Sequence, residues 1–325
     1  MKTLLVTGGC GFIGSNFIRR FLKTHADWKI LNFDKLSYCG NRENTRGLEG
    51  TPQYEFLQGD ICDRDAVFGA VQRAGGVVHF AAETHVDRSI ADAHDFLKTN
   101  ILGTAVLLEA ARHRNLKRFI HISTDEVYGS LEKGEADENA PLRPSSPYSA
   151  SKASGDLLVQ SYLKTYGTAP IIIRSTNNFG PYQFPEKVIP LFITNLLENK
   201  KVPLYGEGKN RRDWIYVEDN CAAIELVFDK GEEGQIYNVG AGNEMSNSEL
   251  TLEILKLMGK PQEMIRKVAD RPGHDFRYAV DTSRIRALGF KPRESFQEGL
   301  RKTVDWYSEN RGWWQPLKRD AFTLK

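Results

Sequence analysis

Thr3-Leu4-Leu5-Val6-Thr7-Gly8-Gly9-Cys10-Gly11-Phe12-Ile13-Gly14 stands near the start of the chain and decides its fold class. Thr3 to Thr7 reads as a β-strand and Ile13 to Leu22 as a helix, with a glycine turn between them. The spacing is Gly8-x-x-Gly11-x-x-Gly14. The first glycine makes the tight turn, the second lets a pyrophosphate approach the backbone, and the third lets the helix pack close to the sheet. An anion in such a turn meets the unpaired N–H groups and the positive end of the helix. Asp34 ends the next strand, 20 residues past Gly14. A carboxylate there accepts from a ribose 2′-OH and repels a 2′-phosphate, which favours NAD over NADP. The plainer reading of Asp34 is a solvated strand end.

The same rhythm continues outward. Strands are expected at Lys29–Phe33, Tyr54–Gln58, Val77–Phe80, Arg118–Ile122 and Ala169–Arg174. Helices are expected at Arg64–Arg73, Thr99–His113 and Ala150–Tyr166. Strand and helix in alternation predict an α/β fold, a doubly wound (Rossmann) parallel sheet covered on both faces. Continuous apolar runs such as Ile171-Ile172-Ile173 suit strands buried on both sides. After residue 175, Pro181, Pro185, Pro190 and Pro203 break the periodicity, and a smaller mixed region is expected. It holds strands at Trp214–Val217 and Gln235–Val239 and helices at Asp219–Phe228, Ser246–Met258 and Phe296–Asn310. The expected division is 1–175 for a cofactor-binding domain, with 213–240 returning to it, and 176–325 mainly for a substrate domain. Trp313-Trp314 is expected to pack the tail.

Composition limits the partners. The 325 residues are 40% apolar and 26% charged, with a net charge of +2, so composition does not point to nucleic acid. Basic clusters such as Lys209 to Arg212 are still able to meet a phosphate. Cys10, Cys39, Cys62 and Cys221 are widely spaced and suggest reduced thiols rather than a metal site or a disulfide framework. The run Leu4-Leu5-Val6 is too short for a signal-peptide core, and no apolar run approaches the roughly 18 residues of a membrane span. The expected compartment is the cytoplasm, with no membrane partner.

Chemistry concentrates in Ser123-Thr124-Asp125-Glu126-Val127-Tyr128-Gly129 and Tyr148-Ser149-Ala150-Ser151-Lys152. Tyr148 and Lys152 are four apart at a helix start and share one face. A free tyrosine titrates near pH 10, and a nearby ammonium is expected to lower that value. Such a pair takes a hydroxyl proton while hydride leaves the same carbon. Ser123 or Thr124 is placed to hydrogen-bond the reacting oxygen. Asp125 and Glu126 would be ordinary solvated acids in isolation. At the carboxyl edge of a sheet, in one desolvated cleft, two such groups can divide into an acid and a base. Asp60-Ile61 and Ala81-Ala82-Glu83 also follow strands, where doubly wound sheets bind ligands. Asp60 is a candidate for adenine, and the two alanines for close passage of the chain.

With these motifs in place, nearly the whole chain resembles the extended short-chain dehydrogenase/reductases, and within them the nucleotide-sugar 4,6-dehydratases. The resemblance rests on Thr7 to Phe17, Ala81 to Ile90, Ser123 to Gly129, Tyr148 to Lys152, Asn177-Asn178-Phe179-Gly180-Pro181-Tyr182, Pro185-Glu186-Lys187, Arg212-Asp213-Trp214 and Asp270 to Asp275. The Thr-Asp-Glu triplet separates the dehydratases from related epimerases and decarboxylases. Thr84 stands where Ser is commoner. The resemblance implies Thr124, Asp125, Glu126, Tyr148 and Lys152 as catalytic residues. It implies NAD held by Gly8, Gly11, Phe12, Ile13, Gly14, Asp34, Lys35, Asp60, Ile61, Ala81, Ala82, Glu83, Thr99, Tyr148, Lys152 and Asn178. The implied nucleotide-sugar contacts are His85, Thr124, Asn177, Lys187, Val188, Pro203, Tyr205, Arg212, Asn243, Arg271 and His274. No metal is implied. Arg212 is in addition a physical candidate for diphosphate, because a guanidinium fits its oxygens bidentately.

The implied reaction is loss of water from dTDP-glucose, with hydride passing internally from C4 to C6 through bound NAD. UDP- or CDP-glucose as substrate, a nucleotide-sugar 4-epimerase, and a non-catalytic NAD-binding regulatory protein are the alternatives. The resemblance also implies a homodimer paired through the helices at Thr99–His113 and Ala150–Tyr166.

Overall fold

The computed structural model describes residues 1–270 and 273–323, with side chains through 318. Among the described residues the β-rich runs are β1 (Lys2–Thr7), β2 (Trp28–Asp34), β3 (Tyr54–Gln58), β4 (Gly76–His79), β5 (Phe119–Thr124), β6 (Ile171–Ser175), β7 (Asn177–Phe179), β8 (Val202–Tyr205), β9 (Arg211–Tyr216), β10 (Ile236–Val239), β11 (Glu244–Ser246) and β12 (Ile265–Val268). A seven-stranded sheet runs in the order β10-β6-β5-β4-β1-β2-β3, with every neighbouring pair parallel. The order reverses between β1 and β4, so the crevice for a ligand opens above the β1 turn.

Helices α1 (Phe12–Thr24), α2 (Arg64–Gln72), α3 (Val86–Ala91), α4 (His94–Leu97), α5 (Thr104–His113) and α6 (Pro147–Tyr166) belong to the first half. Both sheet faces are covered, as the apolar runs require. Alternate residues Leu4, Val6, Ile171 and Ile173 bury against Phe17 and Phe21 of α1 on one face. Leu5, Leu31 and Ile172 bury against Val67, Leu107 and Val159 on the other.

α7 (Val188–Leu197), α8 (Val217–Lys230), α9 (Asn247–Leu257), α10 (Ser283–Ala287), α11 (Phe296–Glu309) and α12 (Arg311–Thr323) follow. α8 packs on α1, and β10 extends the seven-stranded sheet beyond β6. A separate cluster built on Phe192, Trp214, Ile254, Leu300 and Trp314 holds the smaller sheets β11-β9-β7 and β12-β8. Trp314 is fully buried and donates to the Tyr307 carbonyl at 2.7 Å, while Trp313 reaches Asn44 at 2.9 Å.

One helix differs from expectation. In place of an unbroken helix from Thr99, helical backbone starts at His94 and widens into a π-helical stretch over Lys98–Gly103 before α5. Such single-turn widenings redirect side chains and recur at functional sites. This one turns Asn100 inward, where its amide holds the Glu83 backbone and the Ser151 hydroxyl at 2.8–3.0 Å.

Candidate active site

The glycine turn is shaped by contacts that leave no room for a side chain. Gly8 has φ +72°, and a Cβ on it would lie 2.6 Å from the Ala81 nitrogen. A Cβ on Gly14 would lie 2.5 Å from the Gly8 carbonyl oxygen, so the first turn of α1 rests directly on the loop. Gly11 is the N-cap of α1, with no side-chain cap and no acid in the first turn. Its orphan N–H groups and dipole are left for an anion.

Asp34 closes the far side. Its carboxylate accepts from the Cys10 and Leu36 backbone at 2.9 and 2.8 Å, which fixes it at the end of β2. Burial pushes its pKa up, against the pull of those two N–H groups. Lys35 pairs with Asp60 at 2.8 Å, linking the ends of β2 and β3. Ala81, Ala82 and Glu83 follow β4, and Glu83 is pushed up by burial and by Asp95.

The reacting groups gather at the end of β5. Thr124 Oγ1 donates to Asp125 at 3.2 Å, accepts the Glu126 N–H at 3.2 Å, and hydrogen-bonds Tyr148. Ser146 caps α6 in a reciprocal box with Ser149, and Pro147 stands in the first turn, so Tyr148 is held at the helix start. Asp125 is 2% exposed, and burial with the neighbouring Glu126 pushes its pKa up to about 8. The shift favours the protonated form, the one a general acid uses.

The expected lowering of the Tyr148 pKa by Lys152 is not found, since Lys152 is not among the groups that shift the phenol. Lys152 Nζ donates to the Ile122 carbonyl at 2.7 Å, and burial pulls its pKa down to about 8. Burial, Glu126 and Asp125 push the Tyr148 phenol up, and only the Thr124 hydrogen bond opposes them. Lys152 is turned to the strand end, and the charges of the two acids act on the phenol. A further positive charge beside the phenol, such as an oxidised nicotinamide, would favour the phenolate.

A buried network that sequence reasoning missed stands behind these groups. Arg174 donates to Asp156 at 2.8 Å and to the Tyr128 hydroxyl at 2.7 Å, and Tyr128 donates to Asn238 at 2.7 Å. It ties α6, the turn after β5, β6 and β10 into one support. Its members lie far apart in sequence and carry no shared motif.

One cleft is lined by Gly8, Gly11, Phe12, Ile13, Gly14, Asp34, Lys35, Asp60, Ile61, Ala81, Ala82, Glu83, Thr99, Thr124, Asp125, Glu126, Tyr148, Lys152, Asn177, Asn178 and Lys187. Ser123 Oγ, Thr176 Oγ1, Asn177 Oδ1, Asn178 Oδ1 and Asp125 Oδ2 are buried along it without a hydrogen-bond partner among the described residues. Buried polar atoms are seldom left so, and a ligand rich in donors and acceptors would satisfy them. With the uncapped helix and the glycine cradle, these residues fit a dinucleotide.

His85, Val188, Pro203, Tyr205, Arg212, Asn243 and His274 do not line that cleft. His85 caps α3 through Nδ1, Val188 opens α7, and Pro203 pairs within the β8–β12 sheet. Asn243 donates to the Trp214 carbonyl at 3.1 Å. Tyr205 meets the His274 ring edge-on at 6.3 Å, and His274 pairs with Asp270 at 2.7 Å. Arg271 lies outside the described residues. Arg212 is no surface cation. It is 6% exposed, stacks 4.1 Å from the Tyr278 ring, and donates to the carbonyls of Arg211, Asp275 and Phe276 at 2.7–3.3 Å. Its charge still acts on Asp125, and Glu126 acts on Tyr278, so this second cluster abuts the acids. Tyr278 carried no sequence signal, since a lone tyrosine in a loop resembles any other.

Among the described residues no group of His, Cys, Asp and Glu is disposed to hold a metal ion. Fold and cleft define a dinucleotide-binding enzyme of the extended short-chain dehydrogenase/reductase class, with two acids added to its tyrosine and lysine. The family described as GDP-mannose 4,6 dehydratase matches residues 5–303, and the chain belongs to it. A dTDP-glucose 4,6-dehydratase of Streptomyces niveus is 52% identical over 320 residues, spanning 97% of this chain and 95% of that protein. The crystal structure of DesIV, a dTDP-glucose 4,6-dehydratase of Streptomyces venezuelae with NAD and a thymidine nucleotide bound, superposes with TM-score 0.95 at 49% identity. That match covers 97% of this chain and 99% of DesIV. A UDP-glucose 4-epimerase of Thermus thermophilus, in complex with NAD, is more distant, with TM-score 0.87 and 32% identity over 95% of this chain and 99% of that one.

Proposed function

We infer that this protein is a lyase that dehydrates dTDP-glucose to dTDP-4-keto-6-deoxyglucose with NAD as a retained cofactor. The observation that carries the reading is a buried Asp125 beside Glu126, in the same cleft as Tyr148, Thr124 and the glycine cradle, where burial favours the acid form of Asp125. Bound there, NAD supplies a hydride acceptor for C4 and a hydride donor for C6. Tyr148 takes the 4-OH proton, with Thr124 and Lys152 holding that oxygen and the charge around it. The 4-ketone acidifies C5, and Glu126 removes the C5 proton and returns a proton to C5 once hydride has added at C6. Asp125 gives its proton to the departing 6-OH. A 4-epimerase would leave Asp125 and Glu126 without a task.

Residues 1–175 with the return over 213–240 make the NAD-binding part, and 176–325 mainly the nucleotide-sugar part. Asn177 and Lys187 are assigned to the sugar side of the cleft, and Arg212 and His274 to the nucleotide-diphosphate side. Leu97 and Leu102, before α5, and Leu157, Leu163 and Tyr166 of α6 are exposed large apolar side chains, which supports a homodimer closed over these helices. A cytoplasmic location suits the four free cysteines. Among the described residues no helix is long and apolar enough to cross a membrane.

The test is parallel incubation with dTDP-, UDP- and CDP-glucose. A 4-keto-6-deoxy sugar absorbs in alkali and an epimer does not. The reading expects this product with the highest kcat/KM for dTDP-glucose. An epimer, or no product from any of the three, would overturn it.

A further inference from the structure

We propose that Glu186 is the hub of a latch that keeps the dinucleotide in the cleft between the two halves of the reaction. Its carboxylate joins three segments that are distant in sequence. The Tyr38 hydroxyl donates to Oε1 at 3.0 Å. Arg88 donates to Oε2 from Nη2 at 3.2 Å and from Nε at 3.4 Å. His85 Nε2 lies 3.9 Å from the same oxygen. The Arg88 guanidinium also lies over the Tyr38 ring at 3.9 Å, and that ring meets Phe184 edge-on at 5.6 Å. Beside this hub, Lys187 Nζ donates to the Thr84 carbonyl at 2.9 Å.

The placement of these contacts gives them their meaning. Ser37, Cys39, Thr84, Phe184, Glu186 and Lys187 all line the cleft that contains the glycine cradle. Tyr38 follows β2 on the cofactor side, Arg88 lies on α3, and Glu186 lies in the segment that leads into α7. One carboxylate thus ties the segment after β2 and helix α3 to the segment that leads into α7, at the wall of the cleft. The side chain of Glu186 is only 11% exposed, so its charge-assisted bonds are little screened. Two non-glycine residues near these segments, Leu36 at φ +61° and Tyr182 at φ +68°, hold left-handed backbone. Such conformations persist where surrounding contacts enforce them.

A latch answers a need of the chemistry. A cofactor that left after the first half-reaction would strand a keto sugar on an enzyme unable to finish. The inference rests on the NAD-dependent reading above, yet it is read from cofactor dissociation, which needs no sugar. Failure of the dehydratase reading and failure of the latch therefore show separately.

The experiment starts from holoenzyme loaded with NADH. It is diluted into buffer with pyruvate and lactate dehydrogenase, which consume released NADH, and the loss of bound nicotinamide fluorescence gives the off-rate. Glu186→Gln keeps the shape and removes the charge. Tyr38→Phe removes one hydroxyl and is the safer variant for folding, checked by circular dichroism. Each is expected to raise the off-rate roughly tenfold to a hundredfold. The double variant should fall short of the product of the two effects, because both act on one hub. Turnover in the variants should decline during the assay and be restored by added NAD. An unchanged off-rate in both variants would overturn the latch. So would a faster off-rate whose lost turnover added NAD fails to restore, which would place Glu186 in the chemistry instead.

Discussion

Thr124 Oγ1 donates to Asp125 Oδ1 at 3.2 Å, at a point where Asp125 is almost wholly buried. That bond favours the carboxylate, but burial and the adjacent Glu126 outweigh it and push the carboxyl up to about 8. The acid form is the one that can protonate a leaving hydroxyl, and it prevails below that pH. Dehydration should therefore fall as pH rises past about 8. Lys152, pulled down to about 8, loses its charge in the same window, so the basic limb should be steeper than one proton. Asp125→Asn should lower the elimination rate by roughly 10²–10⁴-fold and remove the Asp125 part of that limb. A kcat profile from pH 6 to 10 for both proteins checks this.

Glu126→Gln should separate the two halves of the reaction. The amide cannot take the C5 proton, so dehydration should drop by roughly 10²–10⁴-fold. Mixing the variant holoenzyme with dTDP-glucose should still produce the absorbance of reduced nicotinamide. Stopped-flow absorbance reads this directly, and loss of that signal with cofactor binding intact would remove Glu126 from the base role.

Two glycines of one loop should fail in different ways. A Cβ on Gly14 would lie 2.5 Å from the Gly8 carbonyl oxygen, and backbone must shift. Gly14→Ala should cost about 1–3 kcal/mol of stability as well as NAD affinity. At Gly11 the nearest atom is 3.2 Å away, also the Gly8 carbonyl oxygen. Gly11→Ala should mainly lose NAD affinity, with a smaller change in Tm. Thermal melts and NAD titrations of both variants separate the two effects.

The contrast shows what was legible in the chain. The glycine spacing, Asp34 and the Tyr148–Lys152 pair are local patterns, and all of these residues lie along one cleft. The sheet formed by β7, β9 and β11 was harder to read. β7 and β11 have three residues each, too short to show a period. Glu186, Tyr278, Asp156 and Arg174 act through partners many residues away, and no spacing rule announces such pairs. The π-helical stretch at Lys98–Gly103 was also hidden, since one extra residue per turn barely alters an apolar pattern.

The network behind the site should be structural. Arg174 and Asp156 are 1% and 0% exposed and lie 2.8 Å apart. Arg174→Met would leave a buried carboxylate without its guanidinium partner, at a cost of about 3–5 kcal/mol. Asp156→Leu in the same chain should recover part of that loss. Urea unfolding of the single and double variants tests it.

Leu102 and Leu157 are 60% and 57% exposed. If the proposed homodimer closes over these helices, Leu102→Glu with Leu157→Glu should leave a monomer, read by sedimentation velocity. An unchanged sedimentation coefficient would move the interface elsewhere.

The most direct measurement follows one hydrogen. dTDP-glucose carrying deuterium at C4 is turned over by the holoenzyme in ordinary water, and the product is read by mass spectrometry and NMR. Internal transfer through a retained cofactor predicts one deuterium at C6 of the 4-keto-6-deoxy sugar. A product with no label at C6, or label recovered in an added NAD pool, would contradict it.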